Sequence, residues 1–262
     1  AQVSNQRGKW RTAVKNFEQA LSVKPGLIAA EREKIRIEEE YGPQMRLDFD
    51  YQKVEKGDRQ FITRFSGRAP VNDRLEIGAL LESRWLKDKN VQRPSGLLTN
   101  KIDENRQRGE IYATWEHDTP SATRLALLAG PSSIGFQADH MIRHGGEAQS
   151  RFTFAYARPY WDLVEGIVDG GTVDEIEARH ERPLGPRFFL VTTAALSNYS
   201  LKNENKLAQT VGGGLEIYYR FKDFGPVRTI GYGLDAEYLL NRTSRLLPDL
   251  SDSFSPMPVP TQ

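Results

Sequence analysis

From Met45 to Leu240 apolar and polar side chains alternate with a period of two, segment after segment, which restricts the chain to a mainly β fold. Met45, Leu47, Phe49 and Tyr51 alternate with Arg46, Asp48, Asp50 and Gln52, a strand with one apolar and one strongly polar face. Phe61, Thr63 and Phe65 alternate with Ile62, Arg64, Ser66 and Arg68. Leu75, Ile77, Ala79, Leu81 and Trp85 then alternate with Arg74, Glu76, Glu82 and Arg84. A polar connection over Lys87–Asn105 follows. The rhythm resumes in Glu110–Glu116, Ala122–Ala129, Ile134–Arg143 and Gln149–Arg158. Beyond a loop at Pro159–Gly171 come Thr172–Arg182, Arg187–Asn198, Leu207–Phe221 and Val227–Leu240, giving about eleven strands. Many run to about ten residues, longer than the five or six usual in globular proteins.

The first forty residues read differently. Gly8, Trp10, Ala13, Phe17, Ala20 and Pro25 have the spacing of the second half of a tetratricopeptide repeat. In such a repeat small residues let two helices approach, aromatics fill the gap and proline opens the next turn. Helices are predicted over residues 8–24 and 26–41, with Leu27, Ile28, Ala30, Ile35 and Ile37 covering the preceding helix and Gly42-Pro43 ending the second. A half-repeat cannot bury its apolar face alone. Residues 1–43 are therefore expected to be the end of a longer helical array, and residues 44–262 a β domain.

Composition removes several classes of function. The 262 residues carry 36 basic and 35 acidic side chains, so nothing favours nucleic acid as a partner. Cys is absent, which rules out disulfides, thiolate metal sites and a thiol nucleophile. The longest apolar run, Phe188–Leu196, is interrupted by Thr192 and Thr193, whereas a spanning helix needs about 20 residues. A membrane, if crossed, is crossed by strands. Charges repeated along the polar face, and aromatics such as Tyr51, Trp85, Trp115, Tyr156, Tyr160, Trp161, Tyr199 and Tyr218 near strand ends, favour an outer-membrane β-barrel. A soluble antiparallel sheet or sandwich is the alternative. Thr172–Arg182 fits least, because Asp174, Glu175, Glu177, Arg179, His180 and Glu181 leave it little apolar face; it is expected to project beyond the bilayer or lie against a neighbouring element. An odd strand count, and a Pro-rich tail over Leu247–Gln262 in place of a closing strand, point to an incomplete barrel.

A helical array leading directly into a barrel resembles the bacterial exopolysaccharide export porins. The segment Ala157-Arg158-Pro159-Tyr160-Trp161-Asp162-Leu163-Val164-Glu165 with Gly170-Gly171-Thr172, and the segment Tyr232-Gly233-Leu234-Asp235-Ala236-Glu237-Tyr238, most resemble the Pel-type polysaccharide porin. The resemblance implies a barrel of about sixteen strands in the outer membrane, helices in the periplasm, and a polysaccharide as cargo. It also implies a ring of periplasmic lipoproteins and a polymer-modifying enzyme as partners, with no cofactor and no metal.

The residues themselves nominate a path. Asp48, Asp50, Glu76, Glu82, Glu116, Asp139, Asp235 and Glu237 are expected to point inward, with Arg46, Arg64, Arg68, Arg84 and Arg143 among them. Carboxylate rings attract cations, so these would form a low-affinity track for a partly cationic amino-sugar polymer; alternatively they pair with the arginines and merely stabilise a wet interior. In the loop Pro159–Gly171, Tyr160, Trp161, Asp162 and Glu165 mark a plug or gate folded into the lumen, an extracellular lid, or part of two long strands. Gly212-Gly213-Gly214 reads as a kink or a close backbone approach. Enzyme motifs are weak. His140 and His144 lack helical convergence and a clear third ligand, and Pro131–Gly135 lacks a nucleophile elbow. The function expected is passive polysaccharide export during biofilm matrix secretion. The rivals are a helical-repeat barrel that translocates surface lipoproteins and a soluble repeat/β-sandwich scaffold.

Overall fold

The structure, a computed structural model, describes residues 10–53, 59–88, 91–92, 98–99, 102–145, 147–161, 166–167, 170–201, 204–220 and 229–242. Two short helices precede the sheet, α1 (Trp10–Val23) and α2 (Ile28–Tyr41). Ala13 and Phe17 of α1 are buried against Ala30 and Ile37 of α2, and Trp10, Val14 and Leu21 pack around them. Gly26, at φ +84°, reverses the chain after Pro25, a conformation that costs glycine little. Gly42 closes α2 by donating its N–H to the carbonyl of Glu38 at 2.7 Å, and Pro43 blocks a further turn. One expectation fails here: Leu27, Ile28 and Ile35 stay exposed. Ile28 and Ile35 lie on the opposite side of α2 from Ala30 and Ile37, so the helix has two apolar stripes and α1 covers one. Of the repeat spacing, Gly8 lies outside the described residues.

Eleven strands form one antiparallel sheet in sequential order: β1 (Gln44–Lys53), β2 (Arg59–Pro70), β3 (Leu75–Asp88), β6 (Ile102–Glu116), β7 (Ser121–Ala129), β8 (Ile134–Gly145), β9 (Ala148–Pro159), β10 (Thr172–Pro183), β11 (Phe188–Leu201), β12 (Glu204–Arg220) and β13 (Thr229–Arg242). A separate two-stranded hairpin, β4 (Val91–Gln92) with β5 (Leu98–Thr99), sits within the connection between β3 and β6. β1 and β13 are the two edges and do not pair with each other.

Three strands differ from the sequence reading. β6 begins at Ile102 rather than near Glu110, and β3 runs on to Asp88. Lys87–Asp103 (3.4 Å), Ser83–Asn105 (2.8 Å) and Trp85–Asp103 (2.8 Å) link this extension. It is polar on both sides, so it carries no alternation to detect. β10 does not stand apart: it pairs along its length with β9 and β11 in the interior of the sheet. Ile176 and Ala178 point to one face together with His180, and Glu175, Glu177, Arg179 and Glu181 point to the other.

The rows of paired residues are staggered. One row runs Leu75–Trp115–Thr123–His140–Phe152–Ala178–Ala194–Gly213–Ala236 across nine strands. It begins at the first residue of β3, beside the β2–β3 turn, yet meets β12 seven residues before Arg220. The rim that carries the turns β2–β3, β6–β7, β8–β9 and β10–β11 therefore advances by about one residue per strand. Such a drift, always in one direction, inclines the strands to the rim. The helices sit at this rim. Arg11 reaches the carbonyl of Pro70 (2.6 Å) and Asp73 (3.3 Å), and Gln44 bonds the carbonyl of Glu39 at 2.7 Å.

Candidate functional site

Period two gives the sheet two unlike faces. On one, large apolar side chains stand exposed from edge to edge: Met45, Leu47 and Phe49 on β1, Phe65 on β2, Leu81 on β3, Ile111 on β6, Leu127 on β7, Phe154 on β9, Ile176 on β10, Leu196 on β11, Leu215 on β12 and Leu234 on β13. The opposite face carries the charges. No helix among the described residues is long and apolar enough to cross a membrane.

The most enclosed chemistry lies on the charged face of β2, β3 and β6. Arg64, Glu82 and Arg108 are register partners across three strands. Glu82, only 1% exposed, accepts from Arg64 Nε at 2.8 Å and Arg108 Nη2 at 3.1 Å, and also pairs with Arg84 Nε. Three guanidinium groups on one carboxylate leave the cluster with two excess positive charges. Trp161 takes up part of this field. Its ring lies 5.4 Å from Arg84 and 5.0 Å from Arg108, and its carbonyl accepts from Arg84 Nη1 at 2.8 Å. Trp161, Ile167 and Leu86 form a small buried core.

The loop after β9 therefore folds onto the charged face. β9 outruns the short β7–β8 turn, and its last residue, Pro159, rests against Gly130. Ala157, in the left-handed region at φ 49°, turns its N–H to Asp174 Oδ1 at 2.7 Å beside the bulge between Val173 and Glu175. Tyr160 N donates to the carbonyl of Gly171 (2.8 Å), and Gly171 N to that of Gly166 (2.6 Å), which ties the loop at its base. β3 lies four places from β9, about 19 Å along a flat sheet at 4.8 Å per strand, whereas two residues span about 7 Å. Trp161 nonetheless reaches β3, where its carbonyl meets Arg84 and its side chain shares a buried cluster with Leu86. Asp162 and Glu165 lie outside the described residues.

A second recess, about 320 Å³, occupies the same face over β10–β13. Glu175, Glu177, Glu216 and Asp235 line it with Arg158 and Arg179, so carboxylates prevail. Tyr160 and Tyr199, edge to face at 5.2 Å, close one end. The glycine run lines it, and the Asp235 carboxylate lies over Gly214, in the space a side chain there would take.

Most of the remaining carboxylates nominated by the sequence are bound to arginine. Glu76 pairs with Arg68 (3.0 Å), Glu116 with Arg143 (3.1 Å), and Asp139 with Arg124 (3.4 Å) and Thr153 (2.8 Å). Asp48 holds Arg46 at 2.8 Å, and Asp50 accepts from Gln52 at 2.9 Å. Asp235 is exposed in the acidic recess; Glu237 pairs in register with Gly212, and its side chain lies outside the described set. The sequence reading did not nominate Arg108, Glu175, Glu177, Glu216 or Leu86. For Glu175 and Glu177 the signal was present, as alternation with Ile176 and Ala178 within a strand that looked too charged to be central.

His140 and His144 belong to separate clusters. His117 Nε2 and His140 Nδ1 share the Thr123 hydroxyl (2.8 and 2.9 Å), and His144 Nε2 and His180 Nδ1 share the Ser150 hydroxyl (2.8 and 2.9 Å). Among the described residues no three His, Cys, Asp or Glu side chains are grouped to hold a metal.

No family model matches the chain, and no curated protein matches it.

Proposed function

We propose that the sheet is part of an outer-membrane β-barrel that lets an exopolysaccharide pass, with its helices on the periplasmic side. The observation that carries this reading is the exposed apolar face, continuous over the sheet and backed by a charged face. A water-soluble monomer rarely leaves so large a contiguous apolar surface in water, whereas lipid accepts it. The short-turn rim that bears the helices is then periplasmic, since periplasmic turns in such barrels are short. Supporting the reading further, Trp161 and its loop lie on the face that would line the lumen, as a plug would.

The cargo follows from the lining. In the acidic recess, carboxylates beside Tyr160 and Tyr199 suit a hydrated, partly cationic amino-sugar chain, with aromatic faces for the sugar rings and carboxylates for ammonium groups. No covalent step and no cofactor enter. Elsewhere on the same face the arginine-bound carboxylates set the interior's shape and its charge balance.

Two measurements test this. Leu127, 53% exposed in the middle of the apolar face, is expected to tolerate no charge. Leu127→Arg in the full-length protein should lower the stability of the vesicle-inserted form by about 2–4 kcal/mol. A variant as stable as the parent, or a parent that floats with no vesicle and needs no detergent, rejects the membrane reading. For the cargo, Asp235→Asn with Glu177→Gln should reduce block of single-channel current by a partly deacetylated amino-sugar oligomer several-fold, while a neutral oligomer is unaffected. Equal block in parent and variant rejects the acidic track. Co-purified surface lipoprotein, with no response to either oligomer, would favour lipoprotein translocation.

A further inference from the structure

All four histidines of the chain stand on the apolar side or in the turn beside it, at the rim nearest the helices, as two copies of one arrangement. In each, a hydroxyl on a strand bridges two imidazoles. The first is His117–Thr123–His140, with ring centroids 5.9 Å apart; the second is His144–Ser150–His180, also 5.9 Å. Thr123 and Ser150 each lie two residues past the first residue of a strand that leaves a short turn, so stagger keeps both relays at the same distance from the rim. Neither is on the charged face, so the cargo path does not use them.

Proton counting shows what such a relay offers. A hydroxyl has one proton: it donates to one ring nitrogen and accepts the N–H of the other ring. Each relay of neutral imidazoles therefore presents one outward N–H and one outward lone pair, whichever way it is oriented. Taking up one proton turns that lone pair into a second donor and adds a positive charge. Two imidazole donors set side by side, next to apolar surface, match the oxygens of a phosphodiester whose chains lie on that surface.

The surroundings fit such a molecule. The register row next to Thr123 and His140 on the same face holds Ala113, Leu125 and Ala138. There a recess of about 820 Å³ opens between Met45, Ile77, Ile111, Leu125 and Phe136. Gly67, Ala69, Ala79 and Ala113 keep its floor low. At the same rim Trp115 flanks the first relay. Near the second, Phe188 and Tyr219 meet edge to face at 5.1 Å, with Arg187 bonded to the Tyr219 hydroxyl at 3.0 Å. Aromatics of this kind mark headgroup depth.

We propose that the two histidine–hydroxyl–histidine relays bind the phosphodiester headgroups of glycerophospholipids, with an acyl chain of the lipid at the first relay lying in the adjoining apolar recess. This rests on the membrane reading above. It assigns a chemical class to the lipid of the helix-side leaflet, which bulk solvation of an apolar belt does not.

The test is native mass spectrometry of the full-length protein released from detergent with phosphatidylglycerol. A diglucosyl diacylglycerol with the same acyl chains serves as the phosphate-free control. The parent should retain two phosphatidylglycerol molecules at activation energies that strip the glycolipid. Thr123→Ala with His140→Ala should weaken retention of one about tenfold, and Ser150→Ala with His180→Ala the other. His140→Gln, which keeps a donor but cannot become cationic, should fall between parent and the first double variant. Circular dichroism checks that each variant keeps its strand content; any that does not is replaced by the corresponding single hydroxyl variant, Thr123→Val or Ser150→Val. Equal retention of both lipids by the parent, or unchanged retention in correctly folded variants, overturns the proposal. So does displacement of the lipid by millimolar inorganic phosphate alone, because the acyl chain would then add nothing. Flotation with vesicles is scored separately: a protein that floats but shows no phosphate preference loses this proposal and keeps the membrane reading.

Discussion

Replacing Trp161 with alanine is expected to open the interior. The side chain is 2% exposed and is the centre of the small core it shares with Leu86 and Ile167. Removing a buried tryptophan costs about 3–5 kcal/mol, and the described part of this loop has little other apolar packing over which to spread the loss. The carbonyl contact to Arg84 survives the substitution but holds only backbone. In the full-length protein reconstituted in a planar bilayer, Trp161→Ala should show a larger, less fluctuating unitary conductance than the parent. The melting point of the strands should move little, because a loop that undocks caps the loss at its own docking energy and leaves the ladder intact. Identical conductance would mean that the loop does not occlude the passage.

The second large effect is expected at Glu82. Glu82→Ala strips the shared counter-charge from Arg64, Arg84 and Arg108 at a buried position, and breaking a buried pair from one side costs about 3–5 kcal/mol. Denaturant midpoints measured in detergent micelles should fall accordingly. Adding Arg84→Met, which removes the guanidinium nearest to burial, should recover a substantial part of the loss. A double-mutant cycle returning no coupling energy would show that the three arginines are held independently of Glu82. Leu80→Ala, a shortening on the same face of the same strand, serves as a control for non-specific damage to β3.

How much of this could be read from residue order alone depended on whether a physical signal was local. Alternation is local, so β1, β2, β3 and β7–β9 were placed to within a few residues, and the helical hairpin was evident from Ala13, Phe17, Ala30 and Ile37. The polar half of β6 was missed because Asp103–Gln107 presents hydrophilic side chains to both sides. β10 is half legible: Glu175, Glu177, Arg179 and Glu181 fall on one side, while the other keeps only Ile176 and Ala178 as apolar residues beside His180. Pairings were out of reach. Arg64 and Glu82 are 18 residues apart, and only the β2–β3 register, whose turn leaves Pro70 opposite Glu76, makes them neighbours. The loop was the hardest case, since Trp161 with Leu163, Val164 and Ile167 has the composition of a lid, a plug or a strand end alike. What places Trp161 on the charged face is a partner, Leu86, that lies on a strand 75 residues earlier.

The joint between helices and sheet is two residues long, Gly42 and Pro43, one bonded back to Glu38 and the other fixed by its ring. Arg68 reaches back across it to the carbonyl of Glu40 at 3.3 Å, while Arg11 grips the neighbouring hairpin at Pro70 and Asp73. There is no slack in such a coupling. Torque applied to this pair of helices is delivered as a lever stroke to the first three strands, rather than dissipated in a tether.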